Sequence, residues 1–320
     1  MLPAIPYLRL RTTLSAEEAV VLPPFLGSML RGAFGHALRR MVCVMGPEQA
    51  CAECGLRLAC GYTRIFEPYV EGEPPPFLRG IDQAVRPYVF EPLHEGGRLA
   101  PGGTLRFDLL LFGQAAELAA YTVLAVERMA RVGLGARRVP FRLQKVEALS
   151  PDGSAQEVFR AGAPLSGARI SAAVPEAAPL PEGEVTLRFE TPLRIKVRDH
   201  LNDRPRFRDL AFNMLRRVLE LAHFHVPGAV IDWNFRPLLD RADGVRITAA
   251  DLAWHDWERF SQRQGTAMKL GGLVGTMTLA GDLAPFTPLL RAAEILHVGK
   301  GATFGLGKVA VEMAAQEPGV

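Results

Sequence analysis

Residues 299–308 read GKGATFGLGK, and the triplet Gly305-Leu306-Gly307 inside this stretch recurs at Gly133-Leu134-Gly135, about half of the 320-residue chain away. Each triplet follows a segment with the apolar spacing of a helix and precedes a segment with the alternation of a strand. Self-similarity of this kind predicts a structural unit that occurs twice in the chain.

The segments around both triplets occur in the order strand, helix, strand, strand, helix, strand, which is that of the ferredoxin-like unit. In the first half they span residues 7–13, 24–41, 85–91, 104–112, 114–132 and 139–146, and in the second half residues 184–197, 206–223, 245–254, 273–279, 284–298 and 308–313. Residues 150–182, rich in Pro, Gly, Ala and Ser, are predicted to link the two copies.

The sequence therefore predicts an α+β fold of tandem ferredoxin-like (RRM-like, βαββαβ) domains. Residues 1–180 form the N-terminal domain with a cysteine-rich insertion and the linker. Residues 181–320 form the C-terminal domain with the glycine-rich loop at 299–308.

The composition excludes several broad classes of protein. With 48% apolar and 22% charged residues, the chain is predicted to fold into globular domains and not to be disordered or a coiled coil. No run of about 18 apolar residues is present and residues 1–13 lack a signal-peptide pattern, so we expect a soluble cytoplasmic chain with no membrane partner. The net charge of +3 does not by itself indicate a nucleic-acid partner.

The glycine-rich loop does not fit either common nucleotide-binding motif. A P-loop reading of Gly307-Lys308 finds Ala302 in place of the first glycine and Val309 in place of Ser or Thr. A dinucleotide fingerprint lies between a strand and a helix, whereas this loop runs from a helix to a strand. The remaining hypotheses are a loop that lets a phosphate-bearing polymer approach, with exposed amides and Lys300 and Lys308 as ligands, or a plain connection.

The loop resembles the signature loop of the RAMP superfamily of CRISPR-associated proteins, and the whole chain resembles their pre-crRNA processing endoribonucleases. Further matching stretches are residues 30–40 (LRGAFGHALRR), 187–196 (LRFETPLRIK) and 259–264 (RFSQRQ). The resemblance implies tandem ferredoxin-like domains and metal-independent cleavage of CRISPR repeat RNA by 2′-OH attack, which leaves a 2′,3′-cyclic phosphate. The alternative is a non-catalytic RAMP subunit that binds crRNA beside other CRISPR effector subunits.

Such cleavage needs groups that transfer protons near neutral pH, a task suited to histidine. His36 is the first candidate because it lies at the edge of the first helix's apolar stripe, beside small residues, and because the resembled family commonly uses a first-domain histidine. Arg39, three residues further on, is its predicted catalytic partner. His297, just before the glycine-rich loop, is the reserve candidate, and a packing role for His36 stays open.

Basic residues concentrate in residues 194–217, where Arg194, Lys196 and Arg198 alternate as if on one strand face. Clusters of this kind can follow RNA phosphates, although any one arginine could equally be a solvated surface charge. The predicted RNA-binding residues are Arg137, Arg138, Arg194, Lys196, Arg198, Arg204, Arg259, Arg263, Lys300, Thr303, Phe304 and Lys308.

All four cysteines of the chain, Cys43, Cys51, Cys54 and Cys60, fall within 18 residues. One C-x-x-C pair with two flanking thiols matches a tetrahedral Cys₄ zinc site. The spacing predicts a structural zinc with no catalytic role, and an iron–sulfur cluster is the alternative with the same ligand count.

Overall fold

The computed structural model describes residues 2–46, 48–70, 72–81, 83–163, 179–180, 183–197, 200–256, 258–261 and 266–313, with the backbone alone for 258–261, 266–269 and 313. The chain divides into two compact units. The N-terminal unit comprises Ile5–Val174 and Glu220–Gly228, and the C-terminal unit comprises Met1–Ala4, Pro175–Leu219 and Ala229–Val320. Across the described ranges, no helix combines the length and the hydropathy needed to cross a membrane.

The N-terminal unit is built on a five-stranded antiparallel sheet of order β3-β5-β1-β6-β7, whose first four strands have the ferredoxin-like order. Its elements are β1 (Tyr7–Ala16), β2 (Val20–Val21), α1 (Leu26–Val42), α2 (Gly61–Ile65), β3 (Tyr88–Pro92), β4 (Arg98–Leu99), β5 (Thr104–Phe112), α3 (Ala119–Val132), β6 (Phe141–Leu149) and β7 (Ala155–Arg160). The short strands β2 and β4 pair with each other.

The core of the N-terminal unit lies between this sheet and its helices. Along β1 the side chains alternate, so that Leu8, Leu10 and Leu14 are buried in the same apolar cluster as α1 and α3. Helix α1 contributes a stripe at four-residue spacing, which runs through Leu30, Phe34 and Leu38. Burial of this stripe fixes which face of α1 is left for solvent.

The polar face of β1 carries two arginines that neutralise buried carboxylates. Arg11 donates two hydrogen bonds to Asp108, at 2.8 and 2.9 Å, and Arg9 lies 3.5 Å from Glu91. The exposed fractions of the Asp108 and Glu91 side chains are 1% and 2%. The hydrogen bonding of Arg11 to Asp108 is the main cause that raises the pKa of Arg11.

Replacing Arg11 with methionine is expected to lower the free energy of unfolding by about 2–3 kcal/mol, because Asp108 loses its partner while buried. The cost stays below that of a fully buried pair because Arg11 is 30% exposed. Urea denaturation measures it. The matched control is Arg106→Met, which changes an exposed arginine on β5. Adding Asp108→Leu to Arg11→Met should restore stability. Equal stability of the two single variants would contradict this account.

The C-terminal unit repeats the same sheet order with different strands, β11-β14-β8-β15, again antiparallel. Two two-stranded sheets, β9 with β10 and β12 with β13, accompany it. The elements are β8 (Val185–Leu193), β9 (Lys196–Val197), β10 (His200–Leu201), α4 (Phe207–His225, grouped with the N-terminal unit from Glu220 on), α5 (Arg236–Arg241), β11 (Arg246–His255), β12 (Glu258–Ser261), β13 (Thr266–Lys269), β14 (Gly272–Ala280), α6 (Thr287–Leu296) and β15 (Val309–Met313).

The predicted α+β fold of tandem ferredoxin-like repeats is confirmed, with differences in the bounds of several elements. Strand β7 lies inside the segment 150–182 that was predicted as linker, because it pairs with β6. The predicted strand 184–197 ends at Leu193, after which Arg194 bridges Gly299. Helix α6 stops at Leu296 because His297 has φ +61°, outside helical geometry. The domain boundary at residue 180 stays a prediction.

Candidate functional site

The solvent face of α1 carries a narrow strip made of Gly32, His36 and Arg40, which we call the α1 strip. His36 and Arg40 are exposed, and their four-residue spacing places them on the same side of the helix. At Gly32 a side chain would meet no atom of the described residues within 4 Å. An extended ligand can therefore lie along the helix at Gly32 and reach the imidazole of His36.

The neighbouring Gly35 has a different role, since it is buried and its missing side chain makes room for Phe66. A Cβ at position 35 would overlap the Phe66 ring. That ring stacks on Tyr62 and on Tyr88, with centroid distances of 5.4 and 5.8 Å. The small residues of α1 therefore leave open space at Gly32 and not at Gly35.

Arg39, the predicted partner of His36, turns toward the cysteine-rich insertion, which is the segment from Cys43 to Cys60. Its guanidinium donates a 2.7 Å hydrogen bond to the carbonyl of Gln49 and lies 5.9 Å from the centroid of the Tyr62 ring. Partial burial acts to lower the pKa of Arg39, but Cys51, Tyr62 and Cys43 together raise it above its ordinary value. Arg39 is thus placed with the thiols.

The four cysteines surround one small cavity. Each is half-buried and none is in a disulfide. The cavity has a volume of about 20 Å³ and is lined by all four cysteines with Arg39, Met45, Gln49, Arg57, Tyr62 and Thr63. Burial raises the pKa of Cys51, and Arg39 opposes that shift. Within the residues the structure describes, no three His, Cys, Asp or Glu side chains stand in a metal-binding arrangement, so the zinc site stays a prediction.

In the C-terminal unit, the glycine-rich loop joins α6 to β15 and owes its path to four glycines in the left-handed region. Gly299, Gly301, Gly305 and Gly307 have φ between 70° and 87°. The space at two of them is also closed, since a Cβ at Gly299 would overlap the carbonyl oxygen of Arg194 and one at Gly307 that of Val298. A side chain at either position would displace the backbone.

Hydrogen bonds within the C-terminal unit use most of the loop's amides. Lys300 N–H donates to Arg194 O at 2.8 Å and Gly307 N–H to Pro192 O at 3.1 Å, while Phe304, Gly305 and Leu306 donate inside the loop. Thr191 Oγ accepts from Lys308 N–H at 2.9 Å and donates to Gly305 O at 2.8 Å. The hypothesis that exposed amides of this loop bind phosphate is therefore wrong for these positions, and it stays a prediction for the other amides of the loop.

Among the loop's side chains, Lys300 is exposed, and Thr303 and Phe304 are half-buried. The Lys308 ammonium lies 3.4 Å from Glu190, so part of its charge is already neutralised. His297, the reserve catalytic candidate, is fully buried, and its Nδ1 lies 2.9 Å from Leu306 O. His297 therefore contacts the loop from the buried side and is not accessible to a substrate.

The remaining predicted RNA-binding residues are spread over both units. Arg137 and Arg138 are exposed in the turn between α3 and β6, and Lys196 and Arg204 are exposed in the C-terminal unit. Arg194 is half-buried and donates to the carbonyl of Gly271, and burial lowers its pKa. Arg259 belongs to β12, of which only the backbone is described, and Arg198 and Arg263 lie outside the described residues.

Sequence reasoning missed Thr191, which contacts the glycine-rich loop, and Phe66, which packs against α1. Thr191 holds Gly305, 114 positions away, and Phe66 fills the space at Gly35. Neither contact leaves a local pattern, although Thr191 does lie inside the RAMP-like stretch 187–196.

Two family models match the chain. Residues 5–172, more than half of it, match the N-terminal domain AF_1859_N, and residues 187–309 match the CRISPR-associated endoribonuclease Cas6. The chain belongs to the AF_1859_N family, and its second half is similar to Cas6. The resemblance to the pre-crRNA processing RAMP proteins is thereby confirmed.

Individual relatives of this chain are distant. An uncharacterized protein from Archaeoglobus fulgidus is 30% identical over 115 residues, which is 36% of this chain and 37% of that protein. Thermus thermophilus Cas6 (TTHB231) shares the fold with a TM-score of 0.53 at 18% identity, over 96% of this chain and 99% of its own. A Cas6 (TTHB231) product complex gives 0.55 at 19% identity with the same coverage.

A larger assembly also contains this fold. In a partial Cas6-RT-Cas1--Cas2 complex, one chain matches with a TM-score of 0.57 at 14% identity, covering 100% of this chain and 48% of that one. At these identities the solved structures establish the shared Cas6 fold.

Proposed function

We propose that this chain is a metal-independent endoribonuclease that cuts CRISPR repeat RNA in precursor transcripts to release guide RNAs. The proposal rests above all on His36, an exposed imidazole beside the open position Gly32 on the first helix of a chain whose second half is similar to Cas6. A buried histidine such as His297 could not exchange protons with an RNA, whereas His36 can reach one.

In the proposed reaction the ribose 2′-oxygen attacks the adjacent phosphorus. The new 2′-O–P bond forms as the 5′-O–P bond breaks, which leaves a 2′,3′-cyclic phosphate and a 5′-hydroxyl. Neutral His36 takes the 2′-OH proton, and a proton must reach the departing 5′-oxygen, from imidazolium or water. Arg40, one helical turn away on the α1 strip, supplies positive charge to the phosphorane. Arg39 is engaged at the cysteine cavity, which makes it a weaker candidate for that task.

RNA binding is proposed for exposed basic and aromatic groups in each unit. Lys300, with Thr303 and Phe304, projects from a loop whose backbone is fixed by its own hydrogen bonds. A half-buried Phe304 ring offers a surface on which a base can stack, and Lys300 can pair with a phosphate. Arg137, Arg138, Lys196 and Arg204 add exposed charge. The solved structures with this fold include a Cas6 product complex and a Cas6-RT-Cas1--Cas2 complex, and the latter supports the proposal that other CRISPR proteins are partners.

Incubation of the purified chain with repeat RNA from its own CRISPR array, in excess EDTA, tests the proposed activity. We expect one cut per repeat that persists in EDTA and yields a cyclic phosphate detectable by mass spectrometry. A matched RNA with a single 2′-deoxy nucleotide before the scissile phosphate should bind and stay intact, because it lacks the nucleophile.

The same experiment separates the proposal from its alternative. Tight binding of the all-ribose repeat without any cleavage, in EDTA and in Mg²⁺ alike, would identify a non-catalytic subunit that holds crRNA. Cleavage of the deoxy substrate would exclude 2′-OH attack.

A further inference from the structure

The cysteine-rich insertion brings together thiols from three separate backbone elements. Cys43 directly follows α1 and donates its N–H to Arg39 O at 2.9 Å. Cys51 and Cys54 close a short turn in which Cys54 N–H donates to Cys51 O at 3.2 Å. Cys60 immediately precedes α2, and its carbonyl accepts from Thr63 Oγ at 2.9 Å. All four side chains nevertheless line the same cavity.

The volume of this cavity indicates what size of ligand it can hold. Its volume of about 20 Å³ is that of one water-sized particle, since about 10–15 Å³ on this measure holds a single water. One divalent ion matches this volume, and the four thiols, which do not stand in a metal-binding arrangement as described, would have to close on it. A four-iron cluster with its sulfides is several times larger. Four cysteine thiolates favour Zn²⁺ among common divalent ions, in tetrahedral geometry with Zn–S bonds of about 2.3 Å.

Two arginines that line the cavity match the charge of such a site. A zinc ion with four thiolates carries a net charge of −2, and Arg39 and Arg57 both line the cavity. Arg39 also interacts with Cys43 and Cys51. Positive charge and N–H donors around the sulfurs stabilise thiolates and hold them in place, the usual task of groups outside the ligand set.

We propose that Cys43, Cys51, Cys54 and Cys60 bind one structural Zn²⁺ ion per chain, with Arg39 and Arg57 as charge-compensating neighbours. Loading requires the four thiols to lose their protons and close on the ion. Four thiolates leave no coordination position for a substrate, so the ion does no chemistry on RNA. It ties the end of α1 to α2, and α2 leads to Phe66, which packs at Gly35 beside His36. This inference does not depend on the proposed RNA cleavage.

Metal analysis of the full-length chain, purified reduced and dialysed against zinc-free buffer, tests the proposal. We expect about one zinc per chain in the wild type, almost none in Cys54→Ser, and wild-type content in Ala52→Ser. The latter change places a serine in the same turn and keeps all four thiols. Iron with acid-labile sulfide, or no zinc even after zinc is supplied, would overturn the assignment.

A second measurement on the wild type covers the case in which Cys54→Ser does not fold. Protein stripped by a chelator is titrated with Co²⁺ and then Zn²⁺ while thiol reactivity toward a disulfide reagent is followed. The expected result is a tetrahedral cobalt–thiolate absorption spectrum that Zn²⁺ abolishes, with all four thiols protected by one equivalent of zinc. Four thiols that react equally fast with and without zinc would contradict the site.

Discussion

Replacement of His36 by alanine is expected to slow repeat-RNA cleavage by about 10²–10⁴-fold, the usual contribution of a positioned proton-transfer group. The dissociation constant for the uncleaved 2′-deoxy repeat should stay within about twofold, because pairing of basic side chains with phosphates dominates RNA affinity, whereas His36 is assigned the proton transfer. Single-turnover cleavage with enzyme in excess isolates the chemical step. Filter binding with the deoxy repeat measures affinity separately.

The matched control for this variant is His94→Ala. His94 is also an exposed histidine of the N-terminal unit, with its Nδ1 2.8 Å from the neighbouring carbonyl of Glu95, and it has no part in the proposed site. It should retain wild-type cleavage. A His36→Ala protein that cuts as fast as His94→Ala would remove His36 from the mechanism and leave the nuclease proposal to be tested at other residues.

The second large effect is expected at Gly307, where alanine should destabilise the C-terminal unit by at least about 3 kcal/mol. The left-handed backbone, at φ +70°, costs an alanine about 1–3 kcal/mol. The added Cβ would overlap the Val298 carbonyl oxygen. That oxygen can move aside only if the backbone at the junction of α6 and the loop also moves. Because Gly307 N–H donates to Pro192 O, the strain also reaches the end of β8. Chemical denaturation followed by circular dichroism measures the loss.

Gly244→Ala provides the comparison within the same unit. Gly244 has an ordinary backbone conformation and open space at its Cβ position, so the change should alter stability by no more than about 0.5 kcal/mol. Equal stability of the two variants would show that the loop adapts to a side chain at 307, contrary to the geometry described above.

The order of elements could be predicted because each half repeats the same hydrophobic periods with a glycine break after its second helix. The prediction of 104–112 as a strand coincides with β5, and helix α1 differs from the prediction 24–41 by two residues at its start and one at its end. Periodicity reports which face of an element is buried, and this is decided locally. Strand β7 escaped prediction because its polar, exposed sequence resembles a loop and only its pairing with β6 makes it a strand.

For the candidate site, the sequence could predict which side chain is exposed. It could not predict the orientation of a side chain that contacts a partner elsewhere in the chain. His36 lies on the solvent face of α1 as its position in the helical stripe indicates. Arg39, three residues on, turns to Gln49 and the thiols, and Arg194 folds inward to Gly271 O because the strand ends one residue earlier. These orientations depend on partners that are distant in sequence or lie in irregular segments, where spacing rules carry no information.

The positions of the glycine-rich loop fall into two classes that differ in how well they tolerate substitution. Gly299 and Gly307 are fixed by backbone contacts, and the amides from Phe304 to Lys308 are used in holding the loop's shape. The hydrogen bonds that hold this path come from backbone groups and from the Thr191 hydroxyl. Positions 300, 303 and 304 carry the side chains proposed to bind RNA, which makes these three codons the natural targets for redesigning ligand preference by saturation mutagenesis.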